Sequence, residues 1–319
     1  MKPRVLLDVS LPDFLAEQIE PFCQIVPWSE LSESGSGLDS IEGIYTYAHP
    51  PVGPDLMDRL PGLKTISNFG VGVDHIDLAA AHDRGLPVGN TPGAVDGATA
   101  DMTMALLLAS ARNLVVGDRF ARGPNFTSYD PSLWLGAEVH GSRLGIVGMG
   151  RIGREVAKRA RGFSMEIVYH NRRRDEASEA ELGVEYRDLE SLLTHSHFVS
   201  LNVPLTEETR HLIDRDALRL MRKDAILVNV ARGGVVDHDA LLEALRNRWI
   251  AGAAIDVTEP EPLPRDHPLL ELDNLVIAPH LGSATVRTRK SMGRMAADNL
   301  KSGLLGLSLP NQVSAHAGP

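Results

Sequence analysis

Leu144-Gly-Ile-Val-Gly-Met-Gly-Arg-Ile-Gly153 decides the fold of this chain. Its first four residues read as a short buried strand, and from Arg151 a helix opens whose apolar positions Ile152, Val156 and Ala160 share one face. The glycines between them have separate tasks. Gly148 permits the tight turn, Gly150 lets backbone approach a diphosphate, and Gly153 lets helix and strand pack closely. Free N–H groups and the dipole at the helix N-terminus favour the negative charge of a pyrophosphate. A bare glycine triplet could be a structural turn; between a strand and a helix it points to a bound dinucleotide.

Working outward, the same alternation continues. Strands are expected at 143–147, 166–169, 198–202, 225–230, 250–255 and 275–277, with helices between most of them, for example at 239–246. Upstream, 4–9, 43–48 and 63–67 are strand-like, and 13–19 and 54–60 helical. Repeated strand–helix order implies parallel sheets covered by helices. Turn residues cluster at 90–97, and the helix expected at 99–112 lacks a polar face of normal width, so it should be buried, between two domains. A last helix at 285–304 should return to the first domain before a Gly/Ser/Pro tail at 302–319. The expectation is an α/β protein with two doubly wound parallel-sheet domains. A Rossmann dinucleotide-binding domain, 99–284, would be inserted into a discontinuous, flavodoxin-like substrate-binding domain, 1–98 with 285–319. At 319 residues the chain is long enough for two cores. The stretch 32–37 reads as a surface loop.

Net charge is −10, from 32 basic and 42 acidic residues, which argues against nucleic acid or an anionic membrane as partner. An anionic substrate would then need a local positive site. The lone cysteine, Cys23, excludes an intrachain disulfide and suits a reducing cytoplasm. The apolar stretch near Met1 is too short for a signal peptide, and a cytoplasmic location is expected.

Three residues in the last third stand just beyond apolar, strand-like segments: Arg232, Glu261 and His280. Ligands of open parallel sheets bind outside the carboxyl ends of the strands. A cation, a carboxylate and an imidazole there would suit an anionic keto acid and a proton transfer. A second discriminating position follows Met165-Glu-Ile-Val-Tyr169, which runs into His170-Asn-Arg-Arg-Arg174 with no carboxylate until Asp175. An acid at this point would bind the ribose 2′-hydroxyl of NAD; a basic run suits the 2′-phosphate of NADP. NADPH is therefore expected as the preferred cofactor, with NADH possible.

Six motifs give the chain a likeness along nearly its whole length: Gly70-Val-Gly-Val-Asp74, Thr99-Ala-Asp101, Gly148-Met-Gly-Arg-Ile-Gly153, Asn229-Val-Ala-Arg-Gly-Gly234, Asp256-Val-Thr-Glu-Pro-Glu-Pro262 and Pro279-His-Leu-Gly-Ser283. It resembles the D-isomer-specific 2-hydroxyacid dehydrogenases. Glu261-Pro-Leu-Pro-Arg-Asp-His-Pro268 and Gly282-Ser-Ala-Thr-Val-Arg-Thr-Arg289 look most like the glyoxylate/hydroxypyruvate reductases among them.

That resemblance implies roles. Arg232 would hold the substrate carboxylate and polarise its carbonyl, His280 would donate the proton, and Glu261 would orient the ring and favour its protonated form. The N–H groups of Val71 and Gly72 would cradle the carboxylate, with Ser283 touching substrate. Trp134 would lie at the interface of a homodimer and reach a partner's site, although a plain core or interface tryptophan is an equal reading. On the cofactor side stand the glycine turn with Met149, Arg151 and Ile152, then Asn171, Arg172 and Arg173. Val203, Pro204, Val230, Ala231 and Gly282 would line the rest of that site. Thr99 would meet phosphate or ribose and Asp256 the nicotinamide carboxamide, unless either is a local cap. His197, His211 and His238 lack matching partners, and no metal-ligand spacing occurs. Two alternatives stay open: a bulkier 2-keto acid as substrate, since Tyr45, Tyr47 and Phe69 could line a pocket, and a cofactor-sensing scaffold without turnover.

Overall fold

The computed structural model describes residues 1–31 and 38–314, so the loop expected at 32–37 lies outside the described residues. Two units emerge, Met1–Val95 with Thr285–Pro319, and Asp96–Ala284. The division falls at 95/96 rather than 98/99, because the connecting helix already begins at Asp96.

The first unit runs β1 (Arg4–Leu7), α1 (Asp13–Ile19), β2 (Gln24–Pro27), β3 (Ile41–Thr46), α2 (Pro54–Asp58), β4 (Thr65–Asn68), α3 (Leu78–Asp83) and β5 (Val88–Gly89). The strands are parallel in the order β2-β1-β3-β4-β5, the flavodoxin-like arrangement. Leu6, Ile44 and Ile66 are fully buried at its centre. β1 stops at Leu7, short of residue 9, because Asp8 turns its carboxylate to the N–H groups of Tyr47 and Ala48, at 2.9 and 2.6 Å.

The second unit comprises α4 (Asp96–Ala111), α5 (Leu114–Arg122), β6 (Arg143–Val147), α6 (Arg151–Arg161), β7 (Glu166–His170), α7 (Glu176–Leu182), β8 (Glu185–Tyr186), α8 (Leu189–His195), β9 (Phe198–Leu201), α9 (Arg215–Leu220), β10 (Ile226–Asn229), α10 (His238–Arg246), β11 (Gly252–Ile255) and β12 (Leu275–Ile277). Its parallel sheet has the order β12-β11-β10-β9-β6-β7-β8, a Rossmann sheet with one strand added beyond the usual six. The apolar side of α4 packs within this unit, on α6 and on β10, β11 and β12. Helices α7 to α10 each start behind an aspartate, Asp175, Asp188, Asp214 and Asp237, whose carboxylate accepts first-turn N–H groups. Part of the acidic excess is therefore helix capping.

The chain then returns to the first unit as α11 (Val286–Leu304), which packs on α1, β3 and β4. Ser67 on β4 donates to the Ala296 carbonyl at 2.8 Å, and Asn299 bridges Asn90 and Asn311. Of the tail expected at 302–319, residues 315–319 lie outside the described residues; before them Val313 N–H donates to the Val88 carbonyl at 2.7 Å, and Gln312 bridges to Gly89 of β5. Among the described residues no helix is long and apolar enough to cross a membrane.

Candidate active site

Because all strands of the second unit are parallel, the loops after β6, β7, β9, β10, β11 and β12 leave the same edge of the sheet. That edge carries the glycine turn, residues 171–173, Val203-Pro204, Arg232, the 256–261 loop and His280.

The chain reverses its strand order between β6 and β9, and the glycine turn sits at that switch point. Gly148 has φ +98°, and a Cβ there would stand 2.7 Å from the Asn202 carbonyl oxygen beyond β9. A Cβ on Gly153 would meet the Gly148 carbonyl oxygen at 2.1 Å, so helix and turn could not close together. Gly150 faces open space, with nothing within 4 Å of a Cβ position. The N–H groups of Gly150, Arg151 and Ile152 find no acceptor among the described residues. This is the cradle a diphosphate needs, and the residues fit a dinucleotide. The Met149 side chain is buried and its N–H donates to Asn171 Oδ1 at 2.7 Å. Met149 and Asn171 thus fasten the turn to the end of β7.

Beyond β7 the basic run divides. Arg174 forms a two-pronged pair with Glu179, at 2.8 and 2.6 Å, and Asp175 caps α7. Arg172 and Arg173 are exposed. The first carboxylate beyond β7 is Asp175, which is taken up by that cap.

At the other side of the switch point Glu261 meets His280 within reach of the Arg232 charge. His280 Nδ1 lies 2.6 Å from Glu261 Oε1. Burial opposes ionisation of Glu261, but the hydrogen bond and charge of His280, the Thr258 N–H and the positive field of Arg232 hold its carboxyl below the usual range. An ionised carboxylate can only accept, so Nδ1 carries the proton and Nε2 is the nitrogen left to exchange a proton with a ligand. Arg232 follows β10 in extended backbone; its carbonyl accepts from Asn229 Nδ2 at 2.9 Å, and its guanidinium donates to the Ala231 carbonyl. Gly233 explains the glycines after it: a Cβ there would meet the Thr258 carbonyl carbon at 2.1 Å. The loop bearing Glu261 can run against the turn bearing Arg232 only because no side chain intervenes. Arg210 and Glu259, paired at 2.8 Å, hold the same loop.

Asp256 acts as a local cap, one of its two expected readings. It is 1% exposed, and its two oxygens accept the N–H groups of Leu281 and Gly282 at 2.7 and 2.6 Å. Its carbonyl also accepts the His280 N–H at 2.8 Å. His280 has φ 56°, a left-handed conformation that costs a non-glycine residue energy and persists only when its surroundings fix it. Asp256 is that fixture. Burial raises its carboxyl pKa, opposed by those two N–H groups. Thr99 is buried, its hydroxyl 3.4 Å from the Gly282 carbonyl oxygen, which also places it in this turn. Ser283 is half-buried just beyond it.

Elsewhere in this unit, Trp134 is half-exposed at φ 57°, its ring 5.8 Å from that of Phe120. His211 stands 3.5 Å from Glu259, and His238 is buried with Nδ1 on the Val236 carbonyl. No group of three or more His, Cys, Asp or Glu side chains suited to a metal occurs among the described residues.

In the first unit, Gly70 to Gly72 follow β4. Asn68 Nδ2 donates to the carbonyls of Gly70 and Gly72, and Asn90 Nδ2 to that of Val71. With the carbonyls held, the N–H groups of Val71 and Gly72 have no acceptor among the described residues. That is an anion-binding arrangement. Tyr45, by contrast, is 1% exposed inside the core and cannot line a pocket.

A family model for the NAD binding domain of D-isomer specific 2-hydroxyacid dehydrogenases matches residues 104–282. The chain is 45% identical to a glyoxylate reductase of Korarchaeum cryptofilum, over 98% of this chain and 96% of the relative. A crystal structure of a Thermus thermophilus protein superposes with a TM-score of 0.89 at 43% identity, covering 98% of this chain and all of the other. The NADPH-dependent glyoxylate/hydroxypyruvate reductase of Sinorhizobium meliloti, solved with NADP and malonate, gives a TM-score of 0.91 at 30% identity, covering 99% and 98%.

Proposed function

The chain belongs to the D-isomer-specific 2-hydroxyacid dehydrogenases, and from that premise we propose that it reduces glyoxylate to glycolate and hydroxypyruvate to D-glycerate, preferring NADPH. The observation that carries this reading is the 2.6 Å contact between His280 and Glu261, beside Arg232 and on the same sheet edge as the glycine turn.

When bound, the nicotinamide supplies a hydride to the substrate C2. The protein's own residues do the rest. Arg232 binds the carboxylate and polarises the carbonyl with a planar, always-charged fork. His280 delivers the Nε2 proton to the carbonyl oxygen as negative charge develops there. Glu261 keeps the ring oriented and its protonated form favoured. Val71 and Gly72 donate N–H groups to the carboxylate, and Ser283 contacts the substrate. Asp256 serves as a positioning residue, acting through the 280–282 turn.

The glycine turn holds the diphosphate with Gly150, Arg151 and Ile152, while Thr99, Val203, Pro204, Val230, Ala231 and Gly282 line the remainder. Arg172 and Arg173 take the 2′-phosphate; the engagement of Arg174 and Asp175 elsewhere supports this assignment. NADH would bind without those contacts. The exposed apolar residues Leu114, Phe126, Trp134 and Leu135 support a homodimer through this face, Trp134 included. The lone free thiol, Cys23, suits action in the cytoplasm.

The test is a panel of 2-keto acids assayed with both cofactors. NADPH oxidation should depend on glyoxylate or hydroxypyruvate and exceed that with NADH. Replacing Arg172 and Arg173 together by alanine should raise KM for NADPH by roughly ten- to a hundred-fold per lost contact and change KM for NADH little. Cofactor binding without turnover across the panel would favour a sensing scaffold, and equal or better use of NADH would reduce the basic run to a solvated loop.

A further inference from the structure

The stretch Gly282-Ser-Ala-Thr-Val-Arg-Thr-Arg289 ends on a cation that the reaction above does not use. Arg289 lies in the first unit, near the start of α11, and is half-buried. Its guanidinium carbon stands 5.9 Å from the centroid of the Phe69 ring. No carboxylate among the described residues pairs with it. A cation–π contact consumes none of the guanidinium N–H donors, so they remain available to an acceptor. A half-buried, unpaired guanidinium is costly to keep unless something binds it.

Its surroundings are those of a ligand site. Phe69 follows β4 and is 2% exposed; the Tyr47 ring, following β3, lies 4.8 Å from it. Asp8, following β1, fastens the Tyr47 and Ala48 backbone. β1, β3 and β4 are neighbours, and the order reverses between β1 and β3, so these residues stand at the switch point of this unit's sheet. Phe69 also leads directly into the Gly70–Gly72 turn, whose N–H groups are assigned to the substrate carboxylate.

We infer that Arg289, over the ring of Phe69, is a specificity-determining residue that recognises a hydrogen-bond acceptor on C3 of the keto acid. The inference rests on the reductase reading. A hydroxyl suits the subsite better than a second carboxylate, because the Asp8 carboxylate shares this end of the sheet and disfavours another anion. The half-buried Tyr47 ring, braced from behind by the buried Phe69, supplies a rigid apolar surface for the C3 carbon. Hydroxypyruvate should therefore be preferred over pyruvate, which offers a methyl group to the same donors. Glyoxylate has no C3 and serves as the internal reference.

The experiment measures kcat/KM for glyoxylate, pyruvate and hydroxypyruvate with NADPH in the wild type, R289M and R289K. In R289M the ratio of hydroxypyruvate to glyoxylate should fall by roughly ten- to a hundred-fold, chiefly through KM, as a charge-assisted hydrogen bond is lost. Hydroxypyruvate should then be used little better than pyruvate. R289K keeps a cation without the planar fork and should fall in between. A ratio unchanged in both variants, whether all three acids decline together or none does, overturns the inference alone. A wild type that reduces neither glyoxylate nor hydroxypyruvate overturns the reductase reading and takes this inference with it.

Discussion

Replacing Glu261 by glutamine removes one charge and keeps the shape of the side chain that holds His280. In the wild type the ionised carboxylate, 2.6 Å from Nδ1, favours the imidazolium that the reductive step needs. Unit charges about 4 Å apart interact by roughly 1 kcal/mol in water and about 4 kcal/mol at an effective dielectric constant near 20. The two side chains are 33% and 40% exposed, so solvent screening places this pair toward the lower value, roughly 1–2 kcal/mol. That corresponds to roughly five- to thirty-fold in rate. The assay is NADPH oxidation at saturating glyoxylate. The reductive rate should fall by about that factor in E261Q, because the neutral amide no longer supports positive charge on the ring it holds. Glu261 itself carries a second signature. Its folded pKa is depressed, so its contribution to stability is present above the unfolded value and is lost as pH falls through the folded one. The stability difference between wild type and E261Q should accordingly shrink in acid. An undiminished reductive rate in E261Q would refute the coupling.

Two further substitutions probe the frame around the site. Gly148→Ala forces a Cβ toward the Asn202 carbonyl at φ +98°, and should cost roughly 1–3 kcal/mol in strain alone, read as a lower thermal midpoint and weakened NADPH binding; an unaffected midpoint would mean the turn can relax. His238 is buried, which holds its imidazole pKa below the usual value. As pH falls below about 6.5 the unfolded chain takes up this proton first, so stability is present above that point and drains away beneath it. In His238→Asn the loss of thermal midpoint between about pH 7.5 and about pH 5.5 should be smaller than in wild type, and an identical loss would remove His238 from the acid response.

The catalytic candidates were legible because each stands just past a run of buried β residues, and parallel order puts all such ends on one edge. Short edge strands were not. β2, β5 and β8 are only two to four residues long, so Gln24–Pro27, Val88–Gly89 and Glu185–Tyr186 carry no apolar run to announce them. α5 escaped for a related reason: none of its residues is buried, and its apolar side lies on the surface. Asp256 was visible, but its task depends on N–H groups of Leu281 and Gly282, and no local pattern links those positions. Nor does sequence announce the left-handed backbone of His280, which exists only because that long-range loop imposes it. Conversely, the glycines of the 148–153 turn and Gly233 were readable as glycine but acquired their reasons only from the backbone each one lets approach.

His280 is the proposed proton donor, and single-turnover reduction of glyoxylate by His280→Ala tests that role most directly. With NADPH bound as tightly as in wild type, the reductive step should slow by roughly 10²–10⁴-fold, since the imidazole acts on the substrate oxygen. Undiminished reduction in a folded, NADPH-loaded His280→Ala protein would contradict it.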